Sequence, residues 1–250
     1  MPTSAGEAVA VPVGWRVMST LGTLGAGHIG STVARLALEA GYDVVLSNSR
    51  GPDTLRDLVT DLGPRARAGT AQEAAAADLV LVTVPFARYR DLDPDLLSGR
   101  VVLDTMNYYP ERDGRVPELD EHRTTTSAML QQHAPGARVV KTFSGIRWDH
   151  LGDLAQPSGA EDRSTLLVAG DDAEAKERAA SFLDAIGYDA LDAGSLAESW
   201  RFENGQPAYT AAYVRDGQTG RVVGEVEGVP ADAARLRDLL GRADRGLVLP

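Results

Sequence analysis

The chain reads as an α/β protein built on a doubly wound Rossmann-type sheet, mostly parallel, with a small C-terminal helical and irregular segment. Three observations predict this. Short apolar runs alternate with helix-period segments up to about residue 193, the order of successive βαβ units. The stretch "TLGTLGAGHIGSTVARLALEAGYDVVLSNSRGP", residues 20–52, holds a complete strand, glycine turn, helix and second strand. After Gly194 the texture changes to aromatic-rich sequence without periodicity, and the chain closes on one amphipathic pattern.

Taken in order, strands are expected at 16–24, 43–47, 78–84, 101–104 and 139–143. Between the first two, Ile29, Val33, Leu36 and Ala37 fall on one helical face, and Gly41 supplies the stop. A second helix is expected at 53–62, with Leu55, Leu58, Val59 and Leu62 inward and Gly63 ending it. Thr70 and Glu73 form a capping box for a short alanine-rich helix. The alternation then repeats as a strand at 163–170, a helix capped by Asp171 or Asp172, and a strand at 188–193. A polar glycine-rich stretch at 216–229 leads to a closing helix at 231–244, whose apolar stripe is Leu236, Leu239 and Leu240.

Composition narrows the class. A chain of 250 residues, 43% hydrophobic and 24% charged, can bury a sizeable core and is not of disordered type. No apolar run approaches the ~20 residues of a membrane helix. The absence of cysteine excludes disulfides, thiolate nucleophiles and thiolate-bound metals. A net charge of -11 argues against nucleic-acid binding, which draws its affinity from clustered Lys and Arg on phosphates. Residues 1–17 have no basic start followed by an apolar core of signal-peptide type, so a cytoplasmic protein with a mobile N-terminal extension is expected. His28, His122, His133 and His150 show no spacing that suggests a metal pair or a catalytic triad.

With 26 glycines in the chain, a bare triplet carries little weight, but the setting of Gly25, Gly27 and Gly30 does. The first closes the strand into a tight turn, the second lets backbone approach a pyrophosphate, and the third lets the helix pack against the strand. The N-terminus of that helix points free N–H groups and partial positive charge at the phosphates, with His28 and Ile29 contributing through their backbones. The end of the second strand selects the dinucleotide. An NAD site usually places a carboxylate there, whereas this chain has Asn48, Ser49 and Arg50, a hydroxyl and a guanidinium suited to a 2′-phosphate. The expected cofactor is NADP(H).

Ligands of doubly wound sheets sit beyond the carboxyl ends of the strands, where "TVPF" and "DTMNYYP" lie. Val84, Pro85 and Asn107 are candidates to line the ribose and nicotinamide. Phe86, Tyr108 and Tyr109 are candidates to stack on a planar second ligand, with core packing as the alternative. These readings set an NADP-binding domain at 18–194 and a segment at 195–250 that covers the second-substrate site.

At "LGAGHIG", "SNSRGP", "VTVPF", "DTMNYYPERDG", "ARVVKTF" and "SWRF...PAY" the chain resembles the coenzyme F420-dependent NADP oxidoreductase family. In its nucleotide domain that family is similar to pyrroline-5-carboxylate reductases and to the cytoplasmic domain of membrane-bound ferric reductases. The resemblance covers most of residues 18–215. It implies direct hydride transfer between NADPH and the 5-deazaflavin of F420, driven by positioning of two stacked rings and needing no dedicated catalytic side chain. It also implies a homodimer, with residues 195–215 closing over the second ring and Lys141, Arg147 and Arg201 available for the tail of the deazaflavin coenzyme. Members tend to carry Asn after the Phe of "KTF" and Gly before the Trp of "WRF", where this chain has Ser144, Gly145 and Ser199. Those positions, with Trp200 and Tyr209, fall on the second-substrate side. An NADPH-dependent reductase of a small imine or carbonyl is the alternative, with Tyr108, Tyr109, Asp149, His150 or Tyr209 as its proton donor. Flavin or ferric reduction and a non-catalytic NADP(H) sensor are the further alternatives.

Overall fold

The computed structural model describes residues 19–215 and 226–246. The extension expected at 1–17 and most of the polar stretch at 216–229 lie outside those residues.

Eight strands form one sheet in the order β3-β2-β1-β4-β5-β6-β7-β8. They are β1 (Thr20–Leu24), β2 (Asp43–Ser47), β3 (Ala66–Ala68), β4 (Leu79–Val82), β5 (Val101–Asp104), β6 (Arg138–Lys141), β7 (Thr165–Gly170) and β8 (Asp189–Asp192). Every pairing is parallel except β6 with β7. Strand order reverses between β1 and β4, which opens a crevice at their carboxyl ends.

The helices are α1 (His28–Glu39), α2 (Arg56–Leu62), α3 (Ala71–Ala75), α4 (Pro110–Asp113), α5 (Pro117–Asp120), α6 (Thr126–His133), α7 (Trp148–Asp153), α8 (Ala173–Ala185) and α9 (Ala233–Gly241). They cover both faces of the sheet, which is why its central strands read as continuous apolar runs. Side chains alternate between two cores: Leu21, Leu79, Leu81, Val101 and Leu103 pack with α1 and α8, and Val80, Val82 and Val102 pack with α3 and α6.

The expected elements are present with shifted ends. The strand expected at 16–24 runs from Thr20, its first three positions lying outside the described residues. The helix expected at 53–62 starts as a 3-10 turn at Pro52–Leu55 and buries only Leu55 fully; Leu58, Val59 and Leu62 are half-buried against the same core. The capping box of Thr70 and Glu73 forms reciprocally, Asp172 caps α8, and the closing helix is Ala233–Gly241. Strand β3 and helices α4 to α7 were not expected. β3 has three residues and α4 and α5 have four each, too short to display a period, and α6 carries polar residues on most of its surface.

One close approach sets the packing of α3. A Cβ on Gly22 would lie 1.8 Å from the carbonyl oxygen of Ala74, so the helix backbone rests directly on β1. Gly22→Ala is expected to cost about 1–3 kcal/mol or more, as overpacking against backbone does. Urea unfolding of the variant would check this, and wild-type stability would contradict it.

Candidate functional site

The crevice is built on the turn after β1. Gly25 adopts φ +115°, and a Cβ there would lie 2.4 Å from the Thr83 carbonyl oxygen. A Cβ on Gly30 would lie 2.6 Å from the Gly25 carbonyl oxygen and 2.8 Å from the Thr83 methyl, so α1 sits hard against the turn. Gly27 has the opposite character: nothing lies within 4 Å of its would-be Cβ, and open space faces it. Gly27 is the N-cap of α1, with no side-chain cap and no acidic residue in the first turn. The first N–H groups of a 12-residue helix therefore point into an open, glycine-floored cradle. That is the geometry a pyrophosphate needs. His28, the first residue of α1, stacks on Trp148 of α7 with ring centroids 4.7 Å apart, and the half-exposed indole forms a wall beside the turn.

At the end of β2, Ser47 is buried and donates to the Thr23 carbonyl, 2.7 Å away. Asn48 is spent inside the next turn: it accepts from the Arg50 N–H at 2.9 Å and donates to Thr54 Oγ1 at 2.9 Å. It shapes a turn that leaves Ser49 and Arg50 exposed, and the Arg50 guanidinium has no ion pair among the described residues. No carboxylate occupies this corner, as a 2′-phosphate requires.

Beyond β4 and β5, Val84 is half-buried and Pro85 exposed. Asn107 donates from Nδ2 to the Ser144 carbonyl at 2.9 Å, and its Oδ1 is buried without a partner. The Ser144 hydroxyl is likewise buried without one. An acceptor on the loop after β5 and a donor on the loop after β6 thus belong to two residues joined by a hydrogen bond. That loop is constrained: Phe143 has φ +60°, rare for an aromatic residue, and a Cβ on Gly145 would lie 3.1 Å from the Ala208 carbonyl oxygen. The Tyr109 and Tyr209 hydroxyls hydrogen-bond across the same junction, and the Arg112 guanidinium lies 4.7 Å from the Tyr109 ring centroid.

Beneath this loop lies a buried charge cluster. Lys141 is fully buried; its ammonium donates to the Met106 carbonyl at 2.9 Å and Thr126 Oγ1 at 2.8 Å, and pairs with Glu203 at 3.1 Å. Asp104 is equally buried and accepts from Ser127 Oγ and the Met106 N–H. Burial pushes the Asp104 carboxyl up, against the pull of the Lys141 charge.

Several expected ligand contacts are placed elsewhere. Phe86 packs in the core against Tyr89, and Tyr108 is buried with its hydroxyl between Asp120 and the Val116 N–H, the remainder of its side chain bordering the pocket beside Trp200. Burial also raises the Tyr108 phenol. Trp200 stacks with the Arg245 guanidinium and lines a pocket with Tyr108, Leu119, His122 and Glu203. Lys141 is sealed in the cluster, Arg201 donates to the Leu240 carbonyl at the end of α9, and Arg147 holds Asp149. Those contacts leave none of the three as a ready contact for a ligand tail. Hydrogen bonds from Arg147 hold the Asp149 carboxyl at about 2. His150 is buried on the Val226 carbonyl. Trp148, Arg112 and Glu203 belong to the site region and were not singled out from sequence, because none sits in a glycine or strand-end motif.

Residues 20–108 match the model of the family described as NADP oxidoreductase, coenzyme F420-dependent. The matched residues carry the glycine cradle, the β2 corner and the ends of β4 and β5. The chain is also similar to metalloreductase STEAP3 of Rattus norvegicus, 29% identical over 187 residues, which is 73% of this chain and 35% of that protein. The chain thus spans about a third of that relative's length. Among solved structures, the hypothetical protein SMa0349 of Sinorhizobium meliloti matches with TM-score 0.67 and 28% identity, over 77% of this chain and 93% of that one. A protein of Arthrobacter sp. FB24, provisionally named an F420-dependent NADP-reductase, shares the fold with TM-score 0.61 and 24% identity, over 73% and 87% of the two chains.

Lys141→Met removes the cation while leaving Asp104 and Glu203 in place. It is expected to cost about 3–5 kcal/mol, as breaking a buried pair does. Chemical denaturation would measure it, and a loss within about 1 kcal/mol, the usual worth of an exposed pair, would contradict the cluster's weight in the fold.

Proposed function

We infer that the protein is an NADP(H)-dependent oxidoreductase that exchanges hydride with the 5-deazaflavin coenzyme F420. The observation that carries the NADP(H) part is the open cradle of Gly25, Gly27 and Gly30 at the uncapped start of α1, beside a carboxylate-free β2 corner with an exposed Arg50. The F420 part rests on the family description of residues 20–108. The homodimer and the cytoplasmic setting that the resemblance implies belong to the same proposal. Among the described residues, no helix is long and apolar enough to cross a membrane, and no group of three or more His, Asp or Glu could hold a metal ion.

NADP(H) supplies or accepts the hydride when bound. The α1 N–H groups would hold the pyrophosphate, Ser49 and Arg50 the 2′-phosphate, and Val84 and Pro85 the ribose wall. The unpartnered Asn107 Oδ1 and Ser144 hydroxyl match the amide N–H and carbonyl of a nicotinamide carboxamide. This pairing would fix the face that the ring presents. The His28–Trp148 stack narrows the mouth beside the turn. Positioning and exclusion of water are then the main contributions to transfer. The Tyr109–Tyr209 pair favours a second reading, reduction of a small imine or carbonyl, because such a substrate needs a proton donor.

Mixing the protein and NADPH with F420, with FMN and with 1-pyrroline in turn, and following NADPH absorbance, separates these readings. Oxidation with F420 alone is the expected result, and oxidation with 1-pyrroline alone would move the assignment to imine reduction. Arg50→Ala is expected to weaken NADPH by about 10–100-fold, the worth of a charge-assisted hydrogen bond of ~1.5–3 kcal/mol, and to leave NADH unchanged. Fluorescence titration reads both, and equal losses would contradict the 2′-phosphate contact.

A further inference from the structure

We propose that Tyr109 and Tyr209 form the proton-donating group of this site, and that its acceptor is therefore a molecule that takes up a hydride and a proton together. This rests on the oxidoreductase reading above and deepens it. Tyr109 follows Asn107 by two residues, and Tyr209 follows Ala208, whose carbonyl touches Gly145. The two phenols meet between the loop after β5 and the C-terminal segment, and the same two stretches reach the loop after β6 through the Asn107–Ser144 bond and the Ala208–Gly145 approach.

The other candidate donors are removed by their surroundings. Tyr108 is buried and holds Asp120 and the Val116 N–H. Asp149, at about 2, is ionised near neutrality and has no proton to give. His150 is buried on Val226. Tyr109 and Tyr209 remain, both only partly buried.

A phenol gives up its proton more readily when a hydrogen bond is donated to the oxygen that becomes anionic. Each of the two hydroxyls can supply that bond to the other. The Arg112 guanidinium above the Tyr109 ring adds positive charge, part of which is balanced by Asp113 through bonds of 2.8 and 2.7 Å. The Asp113 carboxylate also accepts from the Tyr109 N–H, which fixes the backbone that carries the phenol.

The step balances as follows. A phenol O–H bond breaks and its proton passes to the acceptor heteroatom, a carbonyl oxygen, an imine nitrogen or a conjugated ring nitrogen. That atom holds the electron pair released when hydride adds to the carbon of the same π-system. The hydride and its bonding pair come from the reduced nicotinamide, which is oxidised as the acceptor is reduced. The phenolate takes its replacement proton from water through the second phenol.

Tyr109→Phe and Tyr209→Phe, singly and together, test the assignment. The acceptor used is whichever of F420, FMN or 1-pyrroline the wild type reduces fastest with NADPH. Single-turnover rates should fall by about 10²-fold or more, the usual worth of a general acid, with NADPH affinity unchanged. The solvent deuterium isotope effect of the wild type should change in the variants. A readout independent of turnover is the 13C resonance of Tyr109 Cζ in labelled protein, which should shift in Tyr209→Phe. Unaltered rates and isotope effect in both variants, or resonances that ignore one another, would overturn the assignment while leaving the cofactor reading intact. A wild type that binds NADPH yet oxidises it with none of the three acceptors would overturn the oxidoreductase reading and this assignment with it.

Discussion

The ammonium of Lys141 is fully buried, and the architecture of the site follows from how the chain compensates that charge. Four groups close around it: the Met106 carbonyl from the end of β5, the Thr126 and Ser127 hydroxyls from the start of α6, and the Glu203 carboxylate from the C-terminal segment. A buried charge left without these is costly, so the three elements that supply them are held in register with β6. Residues on that register do the proposed chemistry. Asn107 is one position beyond Met106, Ser144 three beyond Lys141, and the Tyr209 stretch follows Glu203. The cluster thus ties the ends of β5 and β6 to the segment that carries Glu203.

The glycine cradle works on the opposite principle. Gly25 and Gly30 are tight because backbone and Thr83 press on them, and Gly27 is open because nothing does. The first two give the turn rigidity and the third leaves its surface open. A helix start without a side-chain cap is a weakness in a structural helix and an asset in an anion site. Across the crevice, Asn107 and Ser144 carry buried polar atoms with no partner, and Phe143 carries positive φ. Such departures from ordinary packing collect where a ligand completes the structure.

Much of this was legible in the sequence, for identifiable reasons. The βαβ order, both halves of the glycine turn, the Thr70–Glu73 box and the lack of a carboxylate after β2 are local patterns, and local patterns are written in consecutive residues. Strand β3 was missed because three residues carry no period, and the reversed β7 because direction is set by distant pairing. Phe86 and Tyr108 illustrate the limit for side chains. Both follow strands at the ligand end, yet both turn inward to the core. Lys141 reads from sequence as available to a coenzyme tail because nothing adjacent to it announces Glu203, 62 positions away, as its partner. The Tyr109–Tyr209 pair spans 100 positions and is equally invisible along the chain.

The central claim is that the β1–α1 turn and the β2 corner form an NADP(H) site. Isothermal titration calorimetry of the intact protein with NADPH and with NADH tests it most directly. NADPH is expected to bind at least about 10-fold more tightly, the minimum that a charge-assisted contact to the 2′-phosphate confers. Equal affinities for the two dinucleotides, or no binding of either, would contradict the account.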